Sequence, residues 1–146
     1  MAGPGRQLTG LGHDLQLVAE VAGVRALREP GVFFTAGELQ RIAAAASPDE
    51  RLAGAFAAKE ALFKALPPGG RTWFWTDAEL VHDRHGAPSF RTGGALARRL
   101  AGRGLRLKVS ISHSGGFASA VVFATWRAGG GPVPRTTGRT VRHAPR

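Results

Sequence analysis

Two acidic side chains that lie far apart in the sequence have the chemistry to share one hard metal ion. Asp14 interrupts the apolar, strand-like segment Thr9–Leu17, and Glu60 lies in a long predicted helix. Burying a bare carboxylate is costly, so Asp14 is expected near a strand end or beside a partner. Magnesium takes one or two carboxylates and leaves its other positions to water and substrate phosphates. The alternative is that Asp14 caps a helix beginning near Leu15.

Lys64 follows Glu60 by about one helical turn, so the two side chains share a helix face. Ala53 and Ala57 precede them on this face, and two small residues leave room for a ligand to approach. The alternative explanation is an ordinary surface Glu–Lys pair, which stabilises a helix by only tenths of a kcal/mol.

A second polar group ends a predicted strand, where Ser112 and His113 precede a Gly-Gly turn. Hydroxyl groups and an imidazole in such a place can form hydrogen bonds to phosphate. A histidine at a strand end more often has a structural role. The pattern alone therefore leaves both explanations open.

The helix that carries Glu60 is one of two predicted in the centre of the chain, Thr35–Ala46 and Ser47–Leu66. Each begins with a capping box, in which a Thr or Ser is followed three residues later by Glu. The second helix stops before the segment Pro67–Gly70, which cannot continue it. Its predicted core stripe consists of Leu52, Phe56, Phe63 and Leu66.

The remaining segments mix strand hairpins with a helix. Predicted strands lie at Thr9–Leu17, Trp73–His82, Ala87–Phe90, Leu105–Ser112 and Phe117–Trp126, with a basic helix at Thr92–Arg103; Leu17–Leu27 is either a helix or an extended turn. This mixture predicts an α+β fold with a mostly antiparallel sheet packed against a long central helix. Gly10 and Gly12 are not followed by the rest of a dinucleotide-binding fingerprint, which argues against a Rossmann-type nucleotide site.

Length and composition indicate one domain with flanking segments. We expect a loose leader at 1–8, a folded domain at 9–126 and a basic disordered tail at 127–146, rich in Gly, Pro, Thr and Arg. The chain has no cysteine, signal peptide or membrane-length apolar run, so a cytoplasmic protein without membrane attachment is expected. The formal net charge is +10 and the last acidic residue is Asp83. Such a basic half suits an acidic partner, a polyphosphate ligand or nucleic acid, although genome composition also produces it.

Four segments together resemble the holo-acyl-carrier-protein synthase family, the short single-domain class of phosphopantetheinyl transferases. They are Gly10–Leu15 (Gly-Leu-Gly-His-Asp-Leu), Phe56–Ala65 (Phe-Ala-Ala-Lys-Glu-Ala-Leu-Phe-Lys-Ala), Asp83–Pro88 (Asp-Arg-His-Gly-Ala-Pro) and Val109–Ser114 (Val-Ser-Ile-Ser-His-Ser). They occur in the family's order and at similar spacing. The second segment is quite specific to the family. The Gly-x-Pro and Ser-His segments are weak individually and support the resemblance only in combination with it.

The resemblance implies a 4′-phosphopantetheinyl transferase-like fold and a magnesium-dependent transfer. The 4′-phosphopantetheine of coenzyme A moves to a serine of an apo-acyl carrier protein, with release of adenosine 3′,5′-bisphosphate. Asp14 and Glu60 would bind the magnesium, and Lys64 would contact the coenzyme A phosphates. Either a water or Glu60 would accept the serine proton, and Lys64 is the candidate proton donor to the leaving phosphate. These three are the predicted catalytic residues.

The resemblance also implies where coenzyme A and the protein partners bind. Gly86 and Pro88 would shape a loop against the adenine, and Ser112 and His113 would lie near the nucleotide. Family members are homotrimers with active sites between subunits, and they serve fatty acid or polyketide biosynthesis. From its charge, the basic helix with Arg98 and Arg99 could attract the acidic carrier protein, and the alternative is a solvated helix face without a partner.

Two departures from the family pattern leave other functions open. Glu20 stands where members carry an arginine for the carrier protein, and Ala55 replaces an arginine before Phe-Ala-Ala-Lys-Glu. Arg51 or another residue would have to replace the second cation. A weakened member that binds coenzyme A or a carrier protein without turnover is therefore one alternative. A basic nucleic-acid-binding domain is the second alternative. The basic half of this chain argues against it, because it lacks aromatic residues interleaved with the basic ones.

Overall fold

The computed structural model describes residues 8–70 and 72–127. In chain order the strands and α-helices are β1 (Leu8–Leu17), α1 (Val18–Ala22), α2 (Ala36–Ala43), α3 (Pro48–Ala65), β2 (Ala78–His82), β3 (Pro88–Thr92), α4 (Gly94–Gly102), β4 (Leu105–Ser114) and β5 (Phe117–Trp126). Short 3₁₀ helices lie at Arg25–Arg28 and Trp75–Asp77. The expected leader and tail fall outside the described residues, apart from their inner ends at Leu8 and Arg127. No described helix is long and apolar enough to cross a membrane.

The main sheet has three antiparallel strands in the order β1-β5-β4, and β2 pairs with β3 in a separate hairpin. Along β5 every second residue is small or β-branched and buried, namely Ala118, Ala120, Val122 and Ala124. Because side chains alternate across a strand, these four form one face, and α3 packs against it. The predicted α+β fold, with a mostly antiparallel sheet on a long central helix, is confirmed.

Two glycines allow β1 to lie directly on the backbone of α3. A Cβ atom on Gly12 would overlap the carbonyl oxygen of Ala61, and one on Gly10 would overlap that of Ala65. The helix contributes fully buried alanines along the same contact. Strand and helix are therefore held at backbone-contact distance, which fixes the height of β1 residues relative to α3 residues.

The core stripe predicted for α3 is partly wrong. Leu52 and Leu66 are buried and Phe56 is half-buried, but the side chain of Phe63 is 60% exposed. Phe63 lies at the edge of an aromatic cluster, with its ring centroid 6.4 Å from Trp73 and 5.9 Å from Trp75. Small residues of α3, rather than Phe63, cover the sheet, because the close contact of β1 glycines with α3 alanines leaves no space for a larger side chain.

The two predicted capping boxes behave differently. The Thr35 hydroxyl accepts a hydrogen bond from the Glu38 backbone N–H, and the Glu38 carboxylate accepts one from the Thr35 N–H, so the first is confirmed. The second is wrong, because Ser47 makes no side-chain cap although α3 does begin at Pro48. Ser47 adopts ψ 84°, whereas the capping Thr35 has ψ 159°.

Several predicted boundaries also differ. Helix α2 ends at Ala43 rather than Ala46, and α4 is shorter at both ends than Thr92–Arg103. The predicted strand Trp73–His82 is a strand only from Ala78, since the Asp77 carboxylate accepts a hydrogen bond from the Phe74 N–H and closes a 3₁₀ turn. The segment Leu17–Leu27, left open between helix and turn, forms the short α1 and the start of a 3₁₀ helix.

Candidate active site

Asp14 lies on the face of β1 that is covered by α3. It has the same strand parity as Gly10 and Gly12, and it is 8% exposed. Its position excludes the helix-cap alternative, because α1 begins at Val18 with Leu17 as its N-cap residue. The close contact of Gly10 and Gly12 with α3 therefore places the Asp14 carboxylate next to that helix.

The two oxygen atoms of Asp14 each accept a hydrogen bond. The Lys64 ammonium donates to Oδ1 at 2.7 Å and to the His13 carbonyl at 3.0 Å, and the Gln16 amide donates to Oδ2 at 2.6 Å. Lys64 thus bridges from α3 to β1, and its ion pair within the described residues is with Asp14. Gln16 was not predicted from the sequence, although it lies on the same strand face two residues after Asp14.

Glu60 completes an acidic pair beside this lysine. Burial raises the pKa of Glu60, the nearby negative charge of Asp14 raises it further, and Lys64 partly opposes both effects. Two carboxylates near one ammonium leave unbalanced negative charge, which a divalent cation would neutralise. The described residues contain no group of three or more His, Asp and Glu that could hold a metal ion. A two-carboxylate site fits magnesium, whose other positions can go to water and phosphate.

A cavity of about 360 Å³ opens elsewhere along α3. Its walls include Gly86, Pro88 and His113, three of the residues predicted to bind coenzyme A. The imidazole Nε2 of His113 lies 2.8 Å from the Glu50 carbonyl oxygen. A Cβ atom on Gly54 would come within 2.7 Å of that same nitrogen, so the glycine makes room for the ring.

Ser112 does not line this cavity. Neighbouring residues of a strand point to opposite faces, so Ser112 projects away from Ile111 and His113, both of which do line it. Its cross-strand partner is Ser119, whose hydroxyl contacts His13 on the outer face of the sheet. The structure therefore separates Ser112 from the other predicted nucleotide-binding residues.

Gly86 forms the tip of the β2–β3 turn that closes one side of the cavity. Its φ of 82° lies in the left-handed region that glycine adopts without strain. The Asp83 carboxylate accepts hydrogen bonds from the N–H groups of His85 at 2.8 Å and Ala87 at 3.0 Å. The turn is therefore held by its own side chain and presents Gly86 with an open surface.

Lys59 fixes how α3 is rotated about its axis. Its ammonium is completely buried and donates to the Glu38 carboxylate at 2.9 Å and to the carbonyls of Phe33 at 2.9 Å and Trp75 at 3.1 Å. Burial lowers the pKa of Lys59, and the charge of Glu38 opposes that shift. Because Glu60 is the next residue, this anchor also fixes the direction in which Glu60 leaves the helix.

The basic helix predicted to meet a carrier protein is only partly free to do so. Arg98 is exposed on α4, but the Arg99 guanidinium donates to the Pro67 carbonyl. Glu20 is exposed on α1. Of the two arginines, Arg98 alone offers an open charge on this helix.

The cavity and the carboxylate–lysine cluster lie along the same helix. Helix α3 contributes to both places, because Arg51 and Gly54 line the cavity and Glu60 and Lys64 lie in the cluster that they form with Asp14 on β1. Between Arg51 and Glu60 the helix rises by about 13 Å, at 1.5 Å per residue.

Comparison with known proteins identifies the family. Residues 10–122 match the 4′-phosphopantetheinyl transferase superfamily. A holo-[acyl-carrier-protein] synthase of Clavibacter sepedonicus is 46% identical over 120 residues, which are 79% of this chain and 93% of the relative. The chain therefore belongs to the 4′-phosphopantetheinyl transferase superfamily, and the predicted resemblance to holo-acyl-carrier-protein synthases is confirmed.

Solved structures agree with this assignment. The crystal structure of a holo-[acyl-carrier-protein] synthase from Neisseria meningitidis superposes with a TM-score of 0.71 at 30% identity, covering 81% of this chain and 98% of that one. A synthase from Bacillus anthracis in complex with CoA (3′,5′-ADP) has a TM-score of 0.65 at 27% identity, covering 82% and 98%. The predicted 4′-phosphopantetheinyl transferase-like fold is confirmed.

Proposed function

We propose that this protein is a holo-[acyl-carrier-protein] synthase. It transfers 4′-phosphopantetheine from coenzyme A to a serine of an apo-acyl carrier protein and releases adenosine 3′,5′-bisphosphate. The observation that carries the proposal is the contact of Lys64 with Asp14, next to Glu60. Lys64 and Glu60 lie on α3, the helix that also lines the cavity. The 46% identity to a relative of this name supports it.

Asp14 and Glu60 are the residues that would hold a magnesium ion. Burial raises the pKa of Glu60 and the negative charge of Asp14 raises it further, and a divalent ion would offset the repulsion between the two carboxylates. When bound, magnesium supplies charge neutralisation and orientation of the pyrophosphate oxygens. Gln16 and Lys64 hold the Asp14 carboxylate in one orientation through hydrogen bonds to its two oxygens.

The residues of this chain act mainly by positioning charge, as is general for phosphoryl transfer. The serine oxygen attacks the phosphorus that carries the pantetheine, and the bond from this phosphorus to the bridging pyrophosphate oxygen breaks. The Lys64 ammonium stabilises the charge that develops on the departing adenosine bisphosphate. Glu60 is the proposed acceptor of the serine proton.

The cavity suits the nucleotide end of coenzyme A. Gly86 and Pro88 offer an open, apolar edge to the adenine, and the imidazole of His113 faces the same space. The length of α3 between this cavity and Glu60 lets one extended ligand reach both. His113 is the proposed nucleotide-binding residue of β4, whereas Ser112 is not, because the Ser112 side chain points to the opposite face of the strand.

An acidic carrier protein is the proposed macromolecular partner. The net charge of +10 and the exposed Arg98 favour the approach of an acidic surface. Glu20 repels such a surface locally, which favours a dedicated carrier protein, of fatty acid or polyketide synthesis, whose charge distribution accommodates it.

A homotrimer is the proposed assembly, supported by the outer face of the main sheet. The side chains of Leu11, Leu15, Phe117 and Phe123 are all exposed there, opposite the face covered by α3. Contiguous apolar surface of this kind marks contacts between proteins, and further copies of this chain would cover it. Light scattering should give three times the mass of one chain, and a monomer at micromolar concentration would contradict the assembly.

The decisive experiment incubates the protein with apo-carrier protein, coenzyme A and magnesium, and measures the intact mass of the carrier. The expected result is a gain of one phosphopantetheine group, absent when the carrier serine is replaced by alanine. Several carrier proteins should be tested, since partner choice is part of the proposal. Binding of coenzyme A without transfer to any of them would contradict the proposed enzyme and favour a binding protein without turnover.

A further inference from the structure

Arg51 is a cation in the wall of the cavity, and none of the described residues forms an ion pair with it. It lies on α3, is half-buried, and lines the cavity together with His82 and His113. Within residues 8–70 and 72–127 its guanidinium forms no ion pair, and no side-chain hydrogen bond is found for it. A guanidinium offers five N–H donors, and holding them half-buried without acceptors is unfavourable. The neighbouring Arg41 differs, because it donates to Glu79 at 2.8 Å.

The acidic residues near Arg51 do not satisfy it. Glu50 is the one carboxylate-bearing residue of the cavity lining, and it is exposed and forms no ion pair with Arg51 in the described part of the chain. Glu38, which shares a smaller neighbouring pocket with Arg51, accepts hydrogen bonds from Lys59 and from the N–H groups of Thr35 and Leu80. Arg51 therefore has donors available for a ligand in the cavity.

His82 lies beside Arg51 and supplies further hydrogen-bonding capacity. Burial lowers the pKa of His82, and the positive charges of Arg51 and Arg41 lower it further. A neutral imidazole still donates one N–H to an anion. One helical turn after Arg51 stands Ala55, whose small side chain lines the same cavity and leaves room for the ligand.

We propose that Arg51 and His82 bind the phosphate on the ribose 3′-oxygen of coenzyme A, and that Arg51 makes the enzyme discriminate against 3′-dephospho-coenzyme A. This inference rests on the proposed function. The pyrophosphate belongs to Lys64 and Glu60, further along α3, so the phosphate remaining at the nucleotide end is the one on the ribose. A planar guanidinium binds a phosphate dianion through two parallel N–H donors, which gives both affinity and geometric selectivity.

The test compares both donor substrates in the intact-mass transfer assay. Replacing Arg51→Met should lower the ratio of kcat/KM for coenzyme A to that for 3′-dephospho-coenzyme A by about tenfold or more, which corresponds to about 1.4 kcal/mol. His82→Gln should lower the ratio less. Arg106→Met removes the same charge from an exposed residue of β4 outside the cavity lining, and it should leave the ratio at the wild-type value.

Calorimetry separates this inference from the proposed function, because it needs no turnover. Arg51→Met should weaken binding of adenosine 3′,5′-bisphosphate about tenfold and leave binding of adenosine 5′-monophosphate unchanged. If the wild type transfers nothing but Arg51→Met shows this selective loss of binding, the proposed function is refuted and the phosphate site is supported. If Arg51→Met keeps both the wild-type ratio and the wild-type affinity, the site is refuted. Should Arg51→Met not fold, Arg51→Lys must show a reduced ratio, and a wild-type ratio in that variant refutes the proposal.

Discussion

The ammonium of Lys64 lies 2.7 Å from Oδ1 of Asp14, and this bond joins residues 50 positions apart in the chain. It connects the last turns of α3 to the middle of β1 at the place where Glu60 adds a second carboxylate. The bond needs the backbone contact that Gly10 and Gly12 permit, because a larger side chain on the strand would displace Asp14 from the helix. The chemistry of the site thus depends on the packing of one strand on one helix.

Lys64→Met should reduce catalysis much more than folding. Removing one fixed donor that stabilises developing charge typically lowers kcat by about 10²–10³-fold. The rate of carrier modification measured by intact mass should fall by that order at saturating coenzyme A. Lys108→Met removes a lysine that is exposed on β4, and it should keep the wild-type rate. A Lys64→Met enzyme with normal kcat would show that this ammonium has no role in the transfer.

Gly12→Ala should destabilise the protein and impair the site at the same time. Its methyl group would overlap the Ala61 carbonyl oxygen, so β1 must move away from α3. Overpacking of this kind costs about 1–3 kcal/mol in the free energy of unfolding, measured by urea denaturation. Gly23→Ala is the matched control, since Gly23 has an ordinary φ of −76° and a Cβ there meets its nearest neighbour at 3.4 Å. Equal stability of the two variants would contradict the close contact.

Lys59→Met should be one of the most destabilising single changes in the domain. It leaves the buried Glu38 carboxylate without its ammonium partner, and such a loss costs about 3–5 kcal/mol. Adding Glu38→Gln removes the stranded charge, so the double variant should unfold at a higher urea concentration than Lys59→Met alone. A double variant less stable than Lys59→Met would show that the two side chains do not act as a pair.

The pH dependence of stability should report on Glu60. The pKa of Glu60 in the folded protein is raised above the ordinary 4.5. Between pH 4.5 and the raised value, the folded state therefore keeps a proton that the unfolded chain has released. The folded state then binds more protons, and the free energy of unfolding contributed by this group falls as pH rises from 4.5 through the raised value. In metal-free buffer, urea denaturation should show this slope in the wild type and a smaller one in Glu60→Gln. Identical slopes would contradict a perturbed Glu60.

The sequence predicts the order of the strands and helices, because this depends on local patterns, and the role of Asp14 and Glu60 as metal ligands stays a prediction. It fails where tertiary contacts decide. The exposure of Phe63 follows from the Gly–Ala contact that occupies the opposite side of α3. The absent Ser47 cap follows from backbone torsions that no pattern encodes. Partners such as Gln16 and His82 are ordinary polar residues in sequence, and only the folded chain places them beside Asp14 and Arg51.

The claim that Asp14 and Glu60 share one divalent ion is tested most directly by counting bound metal. Manganese can replace magnesium in an electron paramagnetic resonance titration of the protein with coenzyme A, after subtraction of coenzyme A alone. The wild type should bind one ion per chain, and Asp14→Asn and Glu60→Gln should each lose that ion while remaining folded. Full binding at wild-type affinity in either folded variant would contradict the shared site.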